Sequence, residues 1–418
     1  MNNERSRGAV RGLRAVSALA SVALVAAGLT ACGSQSGGSG SQVVTLFSWE
    51  TQEVMQPVID AFEQATNIKV DFSFAPPIDE YINTLQTRIS SGTAADVFVM
   101  ASENKAQIMA AGAAKDISGL ENISKTGEKG RLLYGDGKAV YAAAPGAWAG
   151  GIYFNKDILS SVGYDTVPAK WDEFLALCDK LKAKGVNPIV ERGDEPPMML
   201  AALLGEVNEA HNGQMDKQIW AGQTTFADTW TAPLTQIRSL VDAGYLSKDI
   251  VGLNFDAAVA EFAAGNAAMF ASGTWGYASI QKAAPNMNIG LVAVPTSNGG
   301  FWGGTISIGY AVNAKAQHPD AAAKLVSFLM SDVALAAYQK TSSQIITVQG
   351  FKNDLTPVFD KAIVAASSGK IYWPQTWWVD NNSALYTHVV AVVQEMIQGK
   401  RTPADTAASI DAKLASLR

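Results

Sequence analysis

The chain is poor in the residues that most often carry out chemistry. It has two cysteines, Cys32 and Cys178, and three histidines, His211, His318 and His388, among 418 residues. Their separations match neither a zinc-ligand spacing nor a disulfide framework, so no metal, cofactor or cross-link is expected. Charged side chains make up only 17% of the chain, and beyond residue 31 there are 28 basic against 37 acidic ones, a net charge of −9. A body this acidic excludes nucleic acid as a partner. A self-similar period of about 20–50 residues is absent too, which excludes solenoids and propellers. No carboxylate sits in a recognisable catalytic motif, and nothing suggests a serine–histidine–aspartate constellation.

What is present is apolar and aromatic. At 48% apolar residues, the chain is globular, and its length is enough for two lobes. Residues 1–14 are basic, and an uncharged apolar run from Ala15 to Leu29 follows, the length of a signal-peptide core and short for a spanning helix. It closes in Leu29-Thr30-Ala31-Cys32 and then a Gly/Ser stretch to Ser41. This resembles a bacterial lipobox with a flexible tether, and it predicts removal of residues 1–31 and lipidation of Cys32. The arginines near the start are not adjacent, so a twin-arginine route is not supported.

The body begins with strand, helix, strand, helix, strand. Val43 to Phe47 is followed by a helix with Met55, Val58, Ile59 and Phe62 on one face, then by Lys69 to Phe74, a helix near Tyr81, and Val97 to Met100. Such an order predicts parallel βαβ units, and ligands of open parallel sheets bind beyond the carboxyl ends of the strands. Trp49, Glu50, Glu103 and Asn104 fall at those ends. Further on, Gly137 to Asp157 reads as two short strands around a Gly/Pro-rich segment, and Ile306 to Asn313 as one strand. Cys178, Trp171 and Trp230 fall on apolar helical faces and are expected in the core.

The stretch from Glu261 to Gly276 reads as a helix end, a stop at Gly265, a strand of small residues and a turn that delivers Trp275. It suits an ordinary buried strand, and equally a crossover between two lobes with Trp275 at a cleft. Tryptophan placement bears on the choice. Of ten tryptophans, seven (Trp49, Trp148, Trp275, Trp302, Trp373, Trp377 and Trp378) fall in loops or at strand ends, and the position of Trp220 is open. A sugar ring has an apolar C–H face and a hydroxyl rim, which a tryptophan plane and nearby carboxylates or amides would match. Rim candidates are Glu50, Glu103, Asp194, Glu195, Asn381 and Asn382, and Gly303 beside Trp302 joins the expected ligand-binding set. Acidic rims with few basic residues point to a neutral, polyhydroxylated ligand.

Several separated stretches also occur in a familiar order. They are 43–62, Ala94-Ala95-Asp96-Val97-Phe98-Val99, Gly151-Ile152-Tyr153-Phe154-Asn155-Lys156-Asp157, Lys170-Trp171-Asp172-Glu173-Phe174, 262–275, and the run from Gly303 to Asn313. Together they resemble the family 1 extracellular solute-binding proteins of ABC importers, the maltodextrin-binding type. The resemblance implies an α/β clamshell of two discontinuous lobes, each a mostly parallel sheet flanked by helices, with a hinge and a ligand cleft between them. It implies one lobe from 42–145 and 275–330 and another from 146–274 and 331–418, with crossings near 144–150, 271–275 and 330–332. It further implies no catalysis, a monomer at the outer face of the cytoplasmic membrane, and delivery of a sugar to permease subunits coupled to a cytoplasmic ATPase. Two other readings stay open. One is a cationic or zwitterionic solute such as a polyamine, since tryptophans with carboxylates also cage cations. The other is a lipid-anchored glycoside hydrolase with Asp194 and Glu50 as its carboxylate pair.

Overall fold

The computed structural model describes residues 42–378 and 382–418. The export signal, Cys32, the tether and Asn381 lie outside the described residues, as does the side chain of Asn382.

Eleven strands follow one another along the described chain: β1 (Val43–Ser48), β2 (Lys69–Phe74), β3 (Val97–Met100), β4 (Gly146–Asn155), β5 (Asn187–Val190), β6 (Ala267–Gly273), β7 (Ile289–Val292), β8 (Trp302–Ile306), β9 (Gly309–Val312), β10 (Ile345–Ile346) and β11 (Ile371–Tyr372). They form two sheets. The first has the order β2-β1-β3-β9, with β1 parallel to β2 and β3 and only β9 antiparallel. All four residues of β3 are buried, as expected of an inner parallel strand covered on both faces. Helix Gln52–Thr66 covers this sheet with Met55, Val58, Ile59 and Phe62, the face that its apolar spacing predicts.

The second sheet has seven strands, and it departs from the mostly parallel arrangement expected of each lobe. Its long strand β4 is antiparallel to β6, β7, β8 and β10, and only the β5–β6 and β8–β11 pairs are parallel. The register places β8 then β7 along one edge of β4, and β10 then β6 along the other. Side chains alternate between two cores. Ile152 and Phe154 join Ile189, Met269 and Ala271 on one face, while Tyr153 joins Val190 and Phe270 on the other. The sheet is therefore buried on both sides although its strands are mostly antiparallel.

The described chain passes between the sheets three times, and two of the passages differ from expectation. The first lies where expected: Ala143 still bridges to Tyr310 beside the first sheet, and Gly146 opens β4. The second breaks the run read as one strand, because β8 pairs with β4 and β9 with β3, and only Ser307 and Ile308 lie between them. The third joins helix Asp332–Ser342, which packs along helix Gln52–Thr66, to β10. The stretch 271–275 is no passage. Gly273 pairs with Gly150 inside the second sheet, and the chain returns through helix Tyr277–Ala283 to β7 of the same sheet. Residues 330–332 only turn from one helix of the first sheet to the next, where Ser331 caps helix Asp332–Ser342. Thus 289–306 goes with the second sheet and 332–342 with the first, opposite to the expected division. The small residues of β6 are explained by close sheet packing alone.

Glycines in β4 carry that packing. A Cβ on Gly150 would run into the sulfur of Met198, and one on Gly151 would meet the Val292 carbonyl and sit 2.7 Å from the Trp302 ring. The obstacle at Gly151 is backbone and cannot rotate away. Gly151→Ala should lower stability by about 1–3 kcal/mol in urea unfolding; a change within about 0.5 kcal/mol would show that the edge of β7 moves freely.

Candidate functional site

The site is built where β1 and β3 end and the chain changes sheets. Beyond β1, the Glu50 amide donates to the Ser48 hydroxyl at 3.0 Å, a tight turn that presents Trp49 and Glu50 together. The Trp49 ring meets Tyr81 edge-on at 5.3 Å. Tyr81 is fixed in turn, since its hydroxyl donates to the Val99 carbonyl at 2.6 Å and accepts from the Val99 amide at 2.8 Å. The Tyr338 hydroxyl donates to Glu50 Oε1 at 2.8 Å. Beyond β3, Glu103 accepts from the Ser102 hydroxyl at 3.0 Å and from Gln375 Nε2 at 2.7 Å. Gln375 follows β11 of the second sheet, so this last bond spans the cleft.

Facing these groups are aromatic rings from the second sheet. Trp148 in β4 and Trp373 after β11 meet edge to face at 5.4 Å. Trp275, on a single turn after β6, lies 4.8 Å from Phe255. Trp49, Trp148, Trp275 and Trp373 line one cavity of about 440 Å³ with Glu50 and Glu103, a size usual for small-molecule sites. Tyr134, Thr305, Ser307 and Gln344 also belong to the wall. Thr305 Oγ1 and Gln344 Oε1 are buried without a hydrogen-bond partner among the described residues. Two convergent polar atoms of this kind are expected where a ligand supplies the missing bonds.

Among the described residues, no basic side chain lines the cavity. Burial pushes the carboxyl groups of both Glu50 and Glu103 up from the usual range, against the Tyr338 bond to Glu50 and the Ser102 and Gln375 bonds to Glu103. Among the described residues, no group of three histidine, cysteine, aspartate or glutamate side chains is arranged to hold a metal ion.

The other expected residues lie elsewhere. Asn104 is buried and turned back on its own backbone, its Oδ1 accepting from the Ala101 amide at 2.9 Å. Asp194 is exposed and gripped by Arg192 through bonds of 2.6 and 2.8 Å, and Arg192 also lies 3.3 Å from Glu195. Neither carboxylate lines the cavity. Burial raises the Glu195 carboxyl, and the charges of Asp194 and Glu103 add to the rise. Trp302 is buried against Gly151, and Gly303 lies under Met198, so both are packing residues. Trp378 is 1% exposed, with its Nε1 donating to Asp216 Oδ1 at 3.2 Å. Trp377 lines a different cavity. The residues that sequence reading missed, Thr305, Ser307 and Gln344, sit at the second and third passages. The signal available for one of them was a lone serine inside the apolar run from Ile306 to Val312.

With this geometry in view, the chain can be set beside known proteins. The sequence profile of the bacterial extracellular solute-binding proteins matches residues 58–366. The chain belongs to that family. The multiple sugar-binding protein of Streptococcus mutans is 24% identical over 342 residues, which cover 79% of this chain and 80% of that one. Among solved structures, a family 1 extracellular solute-binding protein from Bifidobacterium longum subsp. infantis superposes with a TM-score of 0.78 at 26% identity, over 90% of this chain and all of the other (100%). The GacH receptor of Streptomyces glaucescens, solved unliganded and with acarbose, shares the fold with a TM-score of 0.74 at 19% identity, over 90% and 98% of the two chains. The solute-binding family is one of exported proteins, and its members share this α/β architecture of two lobes.

The contact between Tyr338 and Glu50 can be read out through pH. The folded state raises the Glu50 pKa, so it holds that proton more tightly than the unfolded chain, and stability from this group falls as pH climbs from the unfolded to the folded value. The Tyr338 bond limits the fall. Tyr338→Phe should therefore cost about 1–3 kcal/mol near pH 8 and less near pH 4, measured by denaturant unfolding. An equal cost at both would show that the hydroxyl does not act on the charge.

Proposed function

We propose that this solute-binding protein captures a neutral sugar or short oligosaccharide in the cleft between its two sheets and delivers it to the permease of an ABC importer. The observation that carries this is the composition of one cavity: four tryptophans and two half-buried glutamates with, among the described residues, no cationic side chain. The rings take the C–H faces of the sugar, and the carboxyls with Thr305 and Gln344 take its hydroxyls. The sugar-binding relative from Streptococcus mutans supports the same ligand class. Lipidation at Cys32, with the tether beyond it, would hold the body at the outer face of the membrane.

The three passages between sheets form the hinge in this proposal, and ligand favours the closed form by touching both sides. Small-angle scattering should show compaction when a bound sugar saturates the protein; an unchanged radius of gyration would overturn hinge closure. The hydrolase reading loses support, because Arg192 engages Asp194 away from the cavity that holds Glu50. A cationic solute is favoured by the missing basic residues but disfavoured by the raised carboxyls, which resist carrying charge.

Trp49→Ala and Trp275→Ala should each weaken sugar binding by roughly 30-fold or more, about 2 kcal/mol, in calorimetric titration. Each should lower the melting temperature by only a few degrees. Large melting shifts with unchanged affinity would make both rings scaffold, and tight binding of a polyamine with no sugar response would favour the cationic class.

A further inference from the structure

A second cavity, of about 520 Å³, lies on the other side of the turn Pro374–Trp377, and none of the described residues lines both cavities. Trp373 faces the cleft at one end of this turn, and Trp377 faces the second cavity at the other. The walls come from both sides of the molecule. Lys105 and Lys129 stand on helices Lys105–Ala110 and Glu128–Leu133, and Lys217 and Lys370 also line the cavity. The ammonium groups of Lys105 and Lys129 lie 5.7 and 5.6 Å from the centre of the Trp377 ring.

The charge here runs against that of the chain as a whole. None of these four lysines forms an ion pair among the described residues. Lys105 donates instead to the Thr376 carbonyl at 2.6 Å, and burial pulls its pKa down to about 8. Of the two acidic residues in the lining, Glu209 and Asp216, the second is already engaged: Tyr372 donates to Oδ2 at 2.8 Å and Trp378 to Oδ1 at 3.2 Å. A half-buried aromatic plane bordered by ammonium groups that form no ion pair among the described residues, in a body of net negative charge, is suited to an anion that carries a ring.

We propose that this cavity is a second binding site, for an acidic sugar bearing a carboxylate or a phosphate, with Trp377 against the ring and Lys105 and Lys129 on the acid. Among the described residues the site shares no lining residue with the neutral-sugar cleft, and its test separates the two. The full chain is titrated calorimetrically with galacturonate, glucose 6-phosphate, glucose and inorganic phosphate, as wild type, Lys129→Gln and Trp49→Ala. Lys129 is exposed, so its replacement leaves folding intact.

At least one of the two acidic sugars binds the wild type more tightly than glucose or inorganic phosphate. Lys129→Gln weakens that binding by about tenfold or more, and added salt weakens it further. Trp49→Ala leaves it unchanged. Absence of binding by both acidic sugars overturns the proposal. So does acidic-sugar binding that is lost with Trp49→Ala but survives Lys129→Gln, which would put the acid in the cleft. Inorganic phosphate binding as tightly as the sugar acids would remove the ring from the recognition and overturn the ligand class.

Discussion

Strand β4 is the constraint on which the rest of this molecule depends. One ten-residue strand bonds to β6, β7, β8 and β10, and it also receives the chain at its first passage from the other sheet. Such crowding is possible because glycines replace side chains where neighbours come closest. Gly146 lies against the Ile345 backbone, Gly150 under Met198, and Gly151 against Val292 and Trp302. The second and third passages therefore arrive beside the first, since β8 and β10 each pair with the opening of β4. Thr305 and Gln344 reach the cleft for this reason, though they are 39 residues apart in sequence.

The elements themselves were legible from local pattern. The helical face of Met55, Val58, Ile59 and Phe62, the apolar run of β3 and the small-residue strand β6 fold as their periodicities imply. The second and third passages between sheets were not legible, because a passage is defined by which strand a residue pairs with, and periodicity contains no pairing information. The run from Ile306 to Val312 is apolar on both sides of Ser307 and Ile308, yet its halves belong to different sheets. The strand at 267–273 met every local expectation of a crossing, with small residues, a glycine turn and a tryptophan, and it stays within one sheet.

Tryptophans at strand ends divided in the same way. A loop position allows exposure without requiring it. Trp49, Trp148, Trp275 and Trp373 reach the cleft, whereas Trp302 fills the space above Gly151 and Trp378 is locked by its bond to Asp216. Carboxylates divided by partner. Glu50 and Glu103 are half-buried and bonded by neutral donors, while Asp194 faces solvent on the fork of Arg192. A sequence gives the number of carboxylates near strand ends but not which of them has an arginine within reach.

The turn Pro374–Trp377 links these observations, since it stands between two cavities and is bonded to Glu103 and Lys105, which follow β3. Gln375 donates to Glu103, and the next residue, Thr376, accepts from Lys105. Any ligand that draws the Lys105 ammonium away from Thr376 releases the residue next to the one that bonds Glu103 in the cleft. With both cavities occupied as proposed, coupling through the turn is reciprocal, so an acid that loosens Gln375 loses as much affinity in the presence of neutral sugar as it takes from that sugar. A turn anchored to Lys105 on one side and to Glu103 on the other would let the two kinds of solute compete without sharing a single contact residue.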